Sequence, residues 1–143
     1  MLLARKCIIY DPESESILKH MSYSAAKLWN VGNYEKRNYR SLGMDRFPDW
    51  YDQKRRLKSH FFYKNLPSQT AQDVLQELHE AWKSFFKHKE TGGIESPRPP
   101  RFKQKGMDLT FLQNGIVQAG GLIRLTIPRQ LKGYPAKAGQ GAK

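Results

Sequence analysis

One helical stripe limits the possible folds of this chain more than any other feature. Ala71, Val74, Leu75, Leu78, Ala81, Trp82, Phe85 and Phe86 recur at spacings of three and four, so they share one wide apolar face of a helix over 67–89. Pro67 suits its first turn, where a missing N–H deprives no partner. Lys83, Lys87, His88 and Lys89 gather toward its C-terminal end, as the helix dipole favours. The same period appears earlier in Ile17, Leu18, Met21, Ala25, Leu28 and Trp29, which predicts a helix over 14–39. Gly32 lies inside it and costs about 1 kcal/mol against Ala, unless a close neighbour needs the space. Gly43 and Pro48 break the pattern, and a short helix follows from Trp50 to His60.

On either side of these helices the pattern turns extended. Residues 2–10 read as a strand stopped by Asp11 and Pro12, and 108–113, 115–118 and 122–127 as three more, with Gly120-Gly121 as the turn between the last two. A first strand parted from its partners by a helical stretch predicts an α+β fold: a small β-barrel interrupted by a helical insertion. The boundaries are 1–12 for the first barrel strand, 13–96 for the insertion, 97–133 for the returning strands and 134–143 for a disordered tail of Gly, Ala and Lys.

Charge then narrows the partners. The 143 residues carry 25 Lys and Arg against 13 Asp and Glu, a net charge of +12. Such a sum repels itself until a polyanion neutralises it, and nucleic acid is the commonest polyanion. A membrane fits poorly, because no apolar run approaches the roughly 20 residues of a spanning helix. The N-terminus is too short and too charged for a signal peptide, so a cytoplasmic location is expected. The single cysteine, Cys7, allows neither an internal disulfide nor a Cys-based zinc site.

The catalytic inventory is thin. Asp11, Glu13 and Glu15 sit where acids cap a helix, and Asp45, Asp49 and Asp52 also read as structural. His20, His60, His79 and His88 show no ligand spacing, and no Gly-rich phosphate loop follows the first strand. Hence no catalytic residue, metal or cofactor is expected within the chain. Cations and rings interleave instead. Tyr34, Lys36, Arg37, Tyr39 and Arg40 form one run, and Lys54, Arg55, Arg56 and Lys58 precede "SHFFYK" in another. Cations supply a salt-dependent phosphate affinity, and exposed rings can stack on unpaired bases. Read the other way, these are solvated faces and core aromatics.

Four segments, in order, carry a family resemblance. "AAKLWNVGNY" is similar to the Leu/Val-Tyr/Trp-Asn pattern near the start of TnpB proteins, the RNA-guided nucleases of insertion sequences and relatives of type V CRISPR effectors. "LPSQTAQDVLQELHEAWKSFF" resembles that family's Leu-Pro and Gln-containing helix, "PRPPRFKQK" its Pro-Arg-Phe-Lys segment, and "LTFLQNG" with "IRLTIPRQLK" the strands that follow.

The resemblance implies a wedge barrel, a helical recognition insertion, and grip on a guide RNA (ωRNA or reRNA) and target DNA. On a nucleic-acid-binding reading, the basic and aromatic runs place phosphate or RNA contacts at Lys36, Arg37, Arg55, Arg56, Arg98, Arg101, Phe102, Lys103 and Lys105. Ser68, Gln69 and Gln72, at or near the start of the Gln-containing helix, would face the target-adjacent duplex. The family's RuvC-like half, with its Mg and Zn sites, has no counterpart here, so the chain alone is expected not to be an enzyme. It would be an excised piece, a decayed gene or a reduced protein. Other readings are one part of a split nuclease, acting with a RuvC-bearing chain, and a stand-alone RNA-binding regulator.

Overall fold

Asp11 opens the first helix. Its carboxylate accepts hydrogen bonds from the backbone N–H of Ser14 at 3.0 Å and from its hydroxyl at 2.7 Å, and these bonds hold the Asp11 carboxyl below its ordinary pKa. Pro12 then occupies the first turn of α1, Pro12–Arg37. The computed structural model describes residues 11–92, 95–111, 116–119 and 122–131. After α1 come α2 (Trp50–Leu57), α3 (Phe61–Lys64), α4 (Ser68–Thr91), β1 (Ile116–Ala119), β2 (Leu122–Leu125) and a single 3₁₀ turn at Arg129–Leu131. Asp49 caps α2 by accepting from Asp52 N at 2.8 Å. Gly92 ends α4 at φ 69°, a left-handed conformation that glycine adopts without Cβ strain.

The core lies between α1 and α4. Met21, Ala25 and Leu28 from α1 and Ala71, Leu75 and Leu78 from α4 are all fully buried. The helices pack tightly at Gly32, where an added Cβ would lie 2.8 Å from Leu78 Cδ2 and 3.2 Å from Leu75 Cδ2. A close neighbour therefore does claim the space at that glycine. Short α2 and α3 close the sides with Leu57 and Tyr63, and Leu131 returns from beyond the hairpin to join the same core.

This architecture overturns the expected β-barrel. Among the described residues the strands are only β1 and β2, a two-stranded antiparallel hairpin running from Ile116↔Leu125 to Ala119↔Leu122. Ile116, Leu122 and Ile123 are exposed, as the wall of a filled barrel would not leave them. The described part of the expected strand 108–113 is not a strand at all. Its apolar side chains Leu109 and Phe111 pack on the helical core instead, with Met107 beside them, and Thr110 O accepts from Thr70 Oγ1 on α4 at 2.7 Å. An extended chain laid across helices has the same period of two as a sheet strand, so the pattern alone misassigned it. The strand expected at 2–10, the turn at Gly120-Gly121 and the tail fall outside the described residues.

Candidate nucleic-acid interface

Proline-rich backbone lacks N–H donors, yet its carbonyls still need partners when it lies on a protein surface. Residues 97–107 solve this by running antiparallel along α1 as a strap, with one helical turn after another serving them. Arg37 Nη2 donates to Pro100 O at 2.6 Å and Asn33 Nδ2 to the same oxygen at 2.9 Å. Trp29 Nε1 donates to Arg101 O at 2.9 Å. Asn30 Nδ2 donates to Lys103 O at 2.8 Å, while its Oδ1 accepts from Lys103 N at 2.7 Å. Farther along, Ser22 Oγ donates to Met107 O at 2.7 Å and accepts from Met107 N at 3.1 Å. The segment "LWNVGNY" is thus a clasp. Asn33, fully buried, also accepts from Trp82 Nε1 at 2.9 Å and so ties α1, α4 and the strap together.

With its backbone held, the strap turns its cations outward. Arg98, Arg101 and Lys105 are exposed. Lys103 is half-buried, with Nζ 4.6 Å from the Trp29 ring centroid. Phe102 stays 45% exposed, and the Arg37 guanidinium carbon lies 5.1 Å from its ring centroid.

A second basic surface forms away from the strap. Tyr51, Lys54, Arg55 and Lys58 from α2 and its end, Tyr63 and Lys64 from α3, and Ser68 and Gln72 from α4 line an open groove of about 700 Å³. A second hollow of about 490 Å³ shares Lys58, Tyr63, Lys64 and Ser68 and adds Arg129. Neither lining contains a carboxylate. No side chain caps the start of α4, because its N-cap is Pro67. Five cations gathered around the two hollows, Lys54, Arg55, Lys58, Lys64 and Arg129, form a surface suited to consecutive phosphates.

The structure therefore divides the expected contacts. Arg55, Ser68 and Gln72 come together in the groove. Arg98, Arg101, Phe102, Lys103 and Lys105 share the strap, joined by Arg37. Gln69 is exposed but does not line the groove. Arg56 is already paired, 2.9 Å from Glu35 Oε2 and 3.2 Å from Asp52 Oδ2, and its hydrogen bonds to Glu35 push its pKa up. Tyr63 and Lys64 end the run of cations and rings that begins at Lys54, though neither is singled out there as a contact. Arg129 is far from that run in sequence, and only the fold brings it beside Lys58. The carboxylates that open the first two helices act as caps, and no group of three or more His, Cys, Asp or Glu able to hold a metal occurs among the described residues.

Lys36 is not a surface cation. It is 1% exposed, donates to Pro48 O at 2.6 Å, lies 3.2 Å from His79 Nδ1 and sits 4.7 Å from the Phe47 ring centroid. Helical phase explains this, since Lys36 follows Gly32 by four residues and Trp29 by seven and shares their buried face. Burial pulls its pKa from 10.5 to about 8, against the opposing pull of Asp49 and Glu35. Burial and the nearby Lys36 cation likewise depress His79, which leaves its imidazole neutral above the ordinary value of 6.5. An unfolded chain keeps the Lys36 proton up to about 10.5, so between about pH 8 and 10.5 it binds more protons than the folded one and stability rises with pH. Measured against Lys36→Met by urea unfolding, the wild type should gain about 1.5 kcal/mol from about pH 8 to about pH 9.5. A difference that does not change with pH would show that Lys36 is not depressed.

No helix among the described residues is long and apolar enough to cross a membrane. Compared with protein-family models, with curated proteins and with solved structures, the chain matches none of them.

Proposed function

We propose that the chain is a nucleic-acid-binding module: the part of a TnpB-like, RNA-guided DNA endonuclease that grips guide RNA and target DNA, without catalytic residues of its own. The observation that carries this reading is the groove, where Lys54, Arg55, Lys58, Lys64 and, in the adjoining hollow, Arg129 converge with no acid among them. A chain with +12 net charge has cations to spare, and around these two hollows five of them gather with no carboxylate in either lining. Here the acids are used elsewhere, as caps at Asp11 and Asp49 and as partners of Lys19, Arg56 and Lys83. Ser68 and Gln72 add hydrogen-bonding groups that suit a base edge or a phosphate. The tie to the TnpB family rests on the four motif segments alone.

Fluorescence anisotropy with a labelled RNA, titrated at increasing salt, tests the electrostatic core of this reading. Each neutralised phosphate of a single strand contributes a slope of about −0.7 to the plot of log affinity against log salt. With the five cations engaged, a slope of about −3.5 is expected. A flat response would remove the reading.

A further inference from the structure

Phe102 is a large apolar ring left 45% exposed on a segment that is otherwise cationic. It is not a ring on a loose loop. The carbonyls of Pro100, Arg101 and Lys103, before and after it, are each held by side chains of α1. Arg37 fixes it further, with one nitrogen bonded to Pro100 O and the guanidinium 5.1 Å from the ring centroid. A cation stacked on one face supports a second π-system on the other, because it draws on the ring's electrons. Arg98, Arg101 and Lys105, all exposed, flank the ring along the extended chain. An apolar protein partner gains little from one ring surrounded by cations. A duplex hides the faces of its bases and offers only groove edges and phosphates, neither of which a ring can stack on. A single strand offers both charge and open base faces.

We infer that the strap is a stacking platform for an unpaired nucleotide of a single strand, with Phe102 carrying the base and Arg98, Arg101 and Lys105 taking the flanking phosphates. This rests on the nucleic-acid reading above and deepens it, because it assigns single-stranded rather than duplex nucleic acid to this face.

The test uses the full chain and three probes of equal length: an oligoadenylate, an abasic strand and a blunt duplex. The wild type should prefer the oligoadenylate to the abasic strand by about 5- to 150-fold, the range expected for one base stacked on a ring. Phe102→Ala should lose most of that preference and leave the abasic and duplex affinities unchanged, with an unaltered circular-dichroism melt showing that the variant is folded. Phe102→Tyr should restore it. An unaltered preference in Phe102→Ala, or an equal loss on all three probes, overturns the inference and leaves the electrostatic reading standing. Salt-independent binding of every probe by the wild type overturns both.

Discussion

Replacing Asn33 with Leu should lower folding stability by about 3 kcal/mol, a large change for a residue with the same number and branching of side-chain heavy atoms. Asn33 is fully buried and makes two hydrogen bonds in opposite directions, one given to Pro100 O and one taken from Trp82 Nε1. Leu fills the space, so little cavity cost arises. Pro100 O keeps its bond from Arg37. Trp82 keeps nothing, and a buried donor without a partner costs about 1–3 kcal/mol, to which the lost bond to the strap adds. Urea unfolding of wild type, Asn33→Leu, Trp82→Phe and the double variant separates these contributions. Because Trp82→Phe removes the orphaned N–H, the double variant should be more stable than the sum of the single changes allows. If the changes simply add, or if Asn33→Leu costs under about 0.5 kcal/mol, then Asn33 does not join α1, α4 and the strap.

That junction also shows where sequence reading stops. Helices α1 and α4 were legible because a helix repeats its apolar positions locally, and the caps at Asp11 and Gly92 follow from the same local rules. "LWNVGNY" stood out as a motif, but its partners lie more than 60 positions away in a segment with no period of its own. Nothing local says that Asn30 and Asn33 exist to satisfy proline-rich carbonyls. The strand expected from Asp108 failed for a related reason. Alternation records that one side of an extended chain is covered, and it does not record whether a sheet or a pair of helices covers it. Lys36 and Arg37 differ again. One residue apart and equally basic, they sit about 100° apart on α1, so one enters the core and the other reaches the strap. That separation was available from helical phase, and the pull of charge composition hid it.

The groove yields the larger binding effect. Lys58 and Lys64 are exposed, line both hollows and form no ion pair among the described residues. Reversing both, with Lys58→Glu and Lys64→Glu, should leave unfolding nearly unchanged while RNA affinity at low salt falls about 100-fold, at about 1–1.5 kcal/mol for each reversed contact. The salt slope should flatten as well, because fewer counterions are released. Net charge alone would also weaken binding to any polyanion, so a matched control is needed. Lys19→Glu with Lys83→Glu changes the net charge by the same amount, at exposed sites paired with Glu15 and Glu80 and outside both hollows. If the groove holds the phosphates, the control loses only the small, long-range share that salt screens within about 10 Å. Equal losses in the two double variants would mean that RNA responds to the overall field of the protein, and the groove would no longer count as its binding site.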